Sequence, residues 1–206
     1  MIMAIKNIKT NDQMIRNSFL RILENKHKND KKVRIIEELG INHGDGRVDI
    51  AVINDIMHGY EIKSDRDTLK RLPKQVKLYN SVFNKITLIV SKNHLYNAIK
   101  IVPDYWGIIL VKTDKKNKLI FQTIRKEELN KQQDKLSVAR LLWKQEAIKI
   151  LEEKNEAKGF YSKNKENIYY KLLNVLDKKS LNQKVRETIF YRLDWRLESP
   201  LLLSDD

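Results

Sequence analysis

The sequence contains no cysteine and no apolar run long enough to cross a lipid bilayer. Without cysteine among its 206 residues, the chain has no disulfide framework, no thiolate metal site and no cysteine nucleophile, and it suits a reducing compartment. The longest apolar run, "WGIILV" at residues 106–111, is far shorter than the roughly 20 residues that span a bilayer. Lysines at positions 6 and 9 interrupt the N-terminal region before a signal sequence develops. These absences predict a cytoplasmic protein that does not enter a membrane.

Glycine and proline are also scarce, with 6 and 3 residues respectively. No Pro/Gly-rich linker, internal repeat or low-complexity tract divides the chain. No Walker-type phosphate loop or nucleophile elbow is present, and four scattered histidines without cysteine argue against a zinc centre. The patterns predict an α/β core over residues 1–126 and a helical region over residues 127–206 that packs on it.

Positive charge is abundant and unevenly distributed. The chain has 41 Lys plus Arg against 27 Asp plus Glu, a formal net charge of +14. Because Lys and Arg supply most of the non-specific affinity for nucleic acid by neutralising phosphates, this charge favours a DNA or RNA partner. Residues 41–65 are nevertheless acidic, with a net charge of −3, and residues 66–100 carry +7. An acidic segment is thus followed directly by a basic one.

Hydrophobic periodicity predicts a mixed α/β fold. Residues 11–26 have helical spacing, residues 33–39 and the stretches on either side of Asn54 and Asp55 read as three strands, and residues 69–83 return to helical spacing. "KITLIV" at 85–90 and "WGIILVK" at 106–112 are further strands separated by a short helix, and "KLIFQTI" at 118–124 is a candidate edge strand. This order predicts a mixed β-sheet flanked by helices, followed by helices only.

The acidic hairpin "RVDIAVINDIMHGYEIKSD", residues 47–65, places Asp49 and Glu61 on consecutive strands. Side chains alternate along a strand, so a two-residue loop would leave the two acids on opposite faces. A bulge at Gly59 would shift the register by one residue and set the carboxylates opposite each other, with Cβ atoms about 5 Å apart. We therefore predict a bulge at Gly59.

Two carboxylates this close repel unless a cation lies between them. Oxygen ligands completed by water suit Mg²⁺, and Lys63, on the same face as Glu61, could orient a water or stabilise charge on a phosphate. The alternative is a surface hairpin whose acids face solvent and pair with Lys63 and Arg47.

These residues resemble a known signature. Asp49 followed by Glu61-Ile62-Lys63 looks like the D…(D/E)XK motif of the PD-(D/E)XK nuclease superfamily, although Val48 stands where the name-giving proline would be. Gln75 and Tyr79 match the QxxxY motif of its RecB-like branch. The wider string "EELG…GRVDIAV…HGYEIKSD.DTL.RLP.Q…Y" is similar to small stand-alone nuclease-like proteins of bacteria and prophages. In those proteins the core is followed by a Trp-Gly strand, as at Trp106-Gly107 here, and by a helical tail like the one that contains "DWR" here.

The resemblance implies a restriction-endonuclease-like fold and a metal-dependent deoxyribonuclease that uses Mg²⁺, with Mn²⁺ able to substitute. The implied catalytic residues are Asp49, Glu61, Lys63, Gln75 and Tyr79. The implied metal ligands are Glu38, Asp49, Glu61 and the Ile62 carbonyl. Glu37 and Glu24 compete with Glu38 for its role, and strand alternation allows only one of Glu37 and Glu38 to reach the site.

Basic residues beside this site are candidates for contact with nucleic acid, namely Arg47, Lys70, Arg71, Lys74 and Lys77. The alternative function is a non-catalytic nucleic-acid-binding or protein-interaction factor of a phage or mobile element that uses the same fold. The sequence does not distinguish DNA from RNA or endonuclease from exonuclease, and it leaves a homodimer and a protein partner open.

Overall fold

The computed structural model describes residues 9–192, and residues 1–8 and 193–206 lie outside the description. Within the described range the chain forms seven α-helices and six β-strands. The helices are α1 (Asp12–Lys26), α2 (Leu72–Asn80), α3 (Lys92–Ile99), α4 (Lys135–Ala139), α5 (Lys144–Glu152), α6 (Lys165–Val175) and α7 (Lys178–Tyr191). The strands are β1 (Arg34–Ile41), β2 (Gly46–Ile53), β3 (Met57–Lys63), β4 (Lys85–Ser91), β5 (Gly107–Thr113) and β6 (Leu119–Arg125).

The six strands form one mixed sheet in sequence order, β1 to β6. The β1–β2, β2–β3 and β5–β6 pairs are antiparallel, and β4 pairs in parallel with both β3 and β5. The near-continuous apolar sequence of β4 fits its central position, since a strand covered on both faces carries no polar face. The prediction of a mixed α/β fold with C-terminal helices is confirmed.

Helices cover both faces of the sheet. On one face, Phe19 of α1 packs against Tyr60 of β3 with ring centroids 5.1 Å apart. On the other face, Trp106 is fully buried and its indole N–H donates a 2.8 Å hydrogen bond to Asn80 at the end of α2. Both faces are therefore apolar cores, and any polar cluster in the sheet must be satisfied by neighbouring side chains.

The C-terminal helices share the core on the α2 face. Leu172 of α6 and Val185 of α7 belong to the same buried cluster as Val48 and Ile53 of β2. The division into domains at residue 126 stays a prediction, and the "DWR" segment at residues 194–196 lies outside the described residues. None of the described helices has the length and apolar character needed to span a membrane. The cytoplasmic location stays a prediction.

Candidate functional site

A cavity of about 520 Å³ opens between α1, α2 and the first three strands. Carboxylates and cations line it in nearly equal numbers. The acidic lining residues are Asp12, Glu38, Asp45, Asp49, Glu61 and Asp67. The basic lining residues are Arg16, Arg47, Lys63, Arg71 and Lys74. The acidic segment and the basic segment recognised in the sequence thus meet at one cavity.

The β2–β3 hairpin brings Asp49 opposite Glu61 through its loop. Ile53 pairs with Met57 and Ile50 pairs with Tyr60, and extending this register by one residue opposes Asp49 and Glu61. The loop contains three residues, 54–56, and Asn54 closes it by accepting a hydrogen bond of 3.0 Å from the Ile56 N–H. The prediction that the two acids are opposed in register is right, but the two-residue loop was wrong.

The predicted bulge at Gly59 is absent, because Gly59 pairs regularly with Ala51. A glycine is needed at this position for a different reason. A Cβ atom at this position would lie 2.9 Å from the Phe83 ring, closer than side-chain carbons approach each other. Gly59 therefore allows Phe83 to pack directly against the strand, and the register offset comes from the loop alone.

Glu38 reaches the cavity through an unusual backbone conformation. The register of β1 with β2 sets Glu38 opposite Asp49, and Glu38 has a φ of 56°, in the left-handed region. Ile36 and Leu39, three positions apart, consequently contact the same buried cluster, an odd spacing that a regular strand does not allow. Glu38 lines the cavity, whereas its competitors Glu37 and Glu24 do not.

Arg16 of α1 was not among the residues selected from the sequence, yet it lies at the centre of the acidic cluster. Its guanidinium ion-pairs with Glu38, with Asp49 Oδ1 at 2.9 Å and with Asp12 Oδ2 at 2.9 Å. Burial lowers the pKa of Arg16, but Asp49 and Glu38 outweigh it and the net shift is upward. The sequence shows only that Arg16 adjoins the apolar stripe of α1, next to Ile15, and its burial is evident from the structure alone.

Glu61 is the centre of a second, deeper network. Its Oε1 lies 2.5 Å from Lys63 Nζ and accepts a 2.5 Å hydrogen bond from the Gln75 amide, and its Oε2 lies 2.6 Å from the Tyr79 hydroxyl. Glu61 and Lys63 are only 2% and 3% exposed. Gln75 and Tyr79 therefore bind the glutamate of the motif, and Glu61 and Lys63 are paired with each other and not exposed to solvent.

The surroundings of Asp49 disfavour its ionised form. Burial, and next the charge of Glu61, raise the pKa of Asp49 well above its ordinary value, although the Ile62 N–H and Arg16 both oppose the shift. The Ile62 N–H donates a 2.6 Å hydrogen bond to Asp49 Oδ2. Burial, followed by the charge of Glu61, also raises the pKa of Tyr79 and keeps its phenol protonated.

The predicted nucleic-acid contacts divide into two groups. Arg47, Arg71 and Lys74 line the cavity, and the side chain of Arg47 is 67% exposed. Arg71 and Lys74 are exposed at the start of α2. Lys70 and Lys77 are exposed as well but do not line the cavity. The mouth of the cavity is therefore cationic, whereas its interior is an ion-paired network.

The carboxylates do not fit a divalent cation as they are arranged. Each oxygen of Asp49 and Glu61 is already within 3 Å of a donor from the protein. Within residues 9–192, no three His, Cys, Asp or Glu side chains group as a metal site. Glu38, Asp49, Glu61 and Ile62 all line the cavity, but their roles as metal ligands and the binding of Mg²⁺ or Mn²⁺ stay predictions.

Fold and cavity define a mixed α/β protein with a cationic cavity mouth over a buried network of paired acids. The chain belongs to the bacteriophage P4 protein cII family, whose model matches residues 6–199. Protein cII of Enterobacteria phage P4 is 35% identical over 75 residues, which make up 36% of this chain and 28% of that protein. The matched region is thus little more than a quarter of that relative's length.

Two solved structures are similar over part of their length. A Silicibacter pomeroyi protein of unknown function is 13% identical with a TM-score of 0.38, covering 73% of this chain and 94% of the other. Pyrococcus furiosus SfsA, solved in complex with Ca²⁺, is 12% identical with a TM-score of 0.37, covering 59% and 68%. Both scores are below 0.5, so neither likeness carries an inference about this chain.

Family membership corrects the prediction of an enzyme. The family is named for a phage protein, cII, and not for a nuclease, and the assignment as a Mg²⁺-dependent deoxyribonuclease is therefore wrong. The resemblance to small phage and prophage proteins is confirmed at the level of a phage family. Membership of the PD-(D/E)XK superfamily itself stays a prediction.

Proposed function

We propose that the protein is a non-catalytic nucleic-acid-binding factor of a phage or related mobile element, which binds DNA at the mouth of the cavity. The observation that carries this proposal is the exposure of Arg47, Arg71 and Lys74 around a cavity in which Asp49 and Glu61 are already paired with cations of the chain. On this account the chain keeps the nuclease-like arrangement of Asp49, Glu61 and Lys63 as a scaffold that positions the cationic mouth.

The charges of the mouth suit a phosphate backbone. Arginine presents a planar fork of donors that binds phosphate oxygens in pairs, and lysine adds a mobile point charge. Lys70 and Lys77 extend the positive surface along α2 beyond the cavity. Together with the formal net charge of +14, this surface favours association with nucleic acid that weakens steeply as salt is added.

Two buried cations offset part of the charge of the interior acids, and this lowers the repulsion that the acids exert on a phosphate. Arg16 pairs with Glu38 and Asp49, and Lys63 pairs with Glu61. An approaching phosphate therefore meets the exposed cations first, with the paired carboxylates beneath them. The cavity lining of the described chain contains no aromatic side chain. Contacts there are made to phosphate and not to stacked bases, so we expect little dependence on base sequence.

Fluorescence anisotropy of a labelled DNA duplex in EDTA tests the proposal. The wild-type chain is compared with Arg71→Ala/Lys74→Ala and with the charge-matched control Lys115→Ala/Lys116→Ala, whose lysines are exposed in the turn between β5 and β6. The cavity variant is expected to bind about tenfold more weakly, and its slope of log affinity against log salt is expected to fall by about 0.9 for each phosphate that the variant no longer neutralises. Equally weakened binding in both variants, or no binding by the wild-type chain, would reject the cavity as the DNA site.

A second candidate, a protein-interaction factor, is favoured by β6. This edge strand pairs only with β5 within the described chain, and Ile120 and Ile124 on it are 41% and 43% exposed. Antiparallel pairing with a second copy about Gln122 would oppose Ile120 to Ile124, although Lys118 would then face Lys126. Light scattering tests whether two copies of the chain associate through β6. A dimer that Ile120→Lys converts to monomer supports it, and a monomeric wild-type chain rejects it.

A further inference from the structure

We propose that Arg16 is a built-in counter-ion that takes the place of a divalent cation between Glu38 and Asp49, so that the cavity works without a metal. This inference concerns the interior of the cavity and does not depend on DNA being the ligand at its mouth. It accounts for a chain that keeps the acids and lysine of a nuclease-like motif and yet belongs to a family of phage protein cII.

The geometry at Arg16 carries the inference. Three carboxylates converge on one guanidinium, from Asp12 on its own helix, Glu38 on β1 and Asp49 on β2. The side chain of Arg16 is only 9% exposed. A cation already fills the space between the acids of two strands, and it is covalently part of the chain.

Donors of the chain also occupy the carboxylate oxygens that face away from Arg16. Asp49 Oδ2 accepts the Ile62 N–H at 2.6 Å, and both oxygens of Glu61 lie within 2.6 Å of donors from Lys63, Gln75 and Tyr79. A divalent cation would have to displace a buried guanidinium and break these bonds. The displaced guanidinium would remain buried without a partner, which is strongly unfavourable.

The backbone supports this arrangement at Glu38. Its φ of 56° is an uncommon conformation for a residue with a side chain and costs on the order of 1 kcal/mol or more. In this conformation the Glu38 carboxylate reaches Arg16 and lies 3.3 Å from Arg47 Nε. Glu38 thus links the buried counter-ion to the exposed mouth of the cavity.

Titration with Mn²⁺, followed by loss of the electron paramagnetic resonance signal of the free ion, tests the proposal. The wild-type chain is compared with Arg16→Gln and Arg16→Met, which remove the charge and keep a straight side chain. Arg47→Gln is the matched control, since Arg47 also contacts Glu38 but is exposed. Each Arg16 variant is then combined with Asp49→Asn.

The wild-type chain and Arg47→Gln are expected to show no saturable Mn²⁺ binding. Either folded Arg16 variant is expected to gain saturable binding that Asp49→Asn abolishes. Folded Arg16 variants that bind no Mn²⁺ overturn the proposal. If neither Arg16 variant folds, the wild-type chain decides: saturable binding that Asp49→Asn removes overturns the proposal, and the lack of such binding supports it.

Discussion

Asp49 and Glu61 occupy opposed positions on β2 and β3, one residue beyond the pair that Ile50 forms with Tyr60. Their charges are close enough that Glu61 contributes, after burial, to the raised pKa of Asp49. The folded state therefore holds the Asp49 proton more tightly than the unfolded chain does. The protonated carboxyl group of Asp49 therefore stabilises the folded state. This stabilisation is lost as the pH rises through the raised pKa of Asp49.

Asp49→Asn is accordingly expected to raise the midpoint of thermal unfolding at neutral pH. The amide oxygen can still accept from the Ile62 N–H. The substitution loses the ion pair with Arg16, but burial and the charge of Glu61 outweigh that pair in the pKa of Asp49. The gain should shrink as the pH falls and should vanish below the ordinary pKa of 3.8, where the wild-type carboxyl is also neutral. Thermal unfolding of both proteins across this pH range measures the difference. A lower midpoint for the variant at neutral pH would contradict the raised pKa.

Removing one partner of the buried Glu61–Lys63 pair is expected to be far more costly than removing both. Lys63→Met leaves the Glu61 charge buried without its cation and should lower the free energy of unfolding by about 3–5 kcal/mol. Glu61→Gln/Lys63→Met should recover most of that loss. Urea unfolding of the two single variants and the double variant measures the coupling energy. Additive losses would show that the two charges do not depend on each other.

Gly59→Ala is expected to lower the free energy of unfolding by about 1–3 kcal/mol, because the added methyl group meets the Phe83 ring. Gly40→Ala in β1 is the matched control, since nothing lies within 4 Å of a Cβ atom there. Urea unfolding compares the two variants. A similar effect at both positions would mean that loss of glycine itself, and not contact with Phe83, determines the stability.

His58 is expected to make the fold sensitive to acid. Burial lowers the pKa of His58 to about 4, and its ring lies 2.9 Å from the Thr87 hydroxyl and 3.1 Å from that of Tyr60. The unfolded chain binds the proton more readily, so stability present above pH 6.5 is lost as the pH falls towards 4, by about 3 kcal/mol in total. His58→Gln should flatten this dependence in urea unfolding. An unchanged pH profile would assign the acid sensitivity to other groups.

Much of the sheet was predictable from the sequence because its signals are local. The apolar run of β4, the alternation of β2 and the helical spacing of α2 each specify their own element. Local spacing also grouped four residues of the site. Glu61 and Lys63 share a strand face, and Gln75 and Tyr79 share a helix face.

Other parts of the site depend on contacts that the local sequence does not encode. Arg16 meets Asp49 across 33 positions, and only the packing of α1 on the sheet brings them together. The left-handed conformation of Glu38 was not predictable, because glutamate rarely adopts it. The three-residue loop after Ile53 gave the register that a bulge had been expected to give, and Gly59 makes room for the Phe83 ring instead.

The function and the counter-ion proposed above together imply that the cavity binds nucleic acid at its cationic mouth without a metal, because Arg16 and Lys63 pair with Asp49 and Glu61. The most direct measurement is the affinity of the wild-type chain for a DNA duplex in EDTA and in Mg²⁺ at matched ionic strength. We expect similar affinities in the two conditions, and a weaker affinity in both for Arg71→Ala/Lys74→Ala. Binding that appears only when Mg²⁺ is added, and that Asp49→Asn removes, would contradict the account.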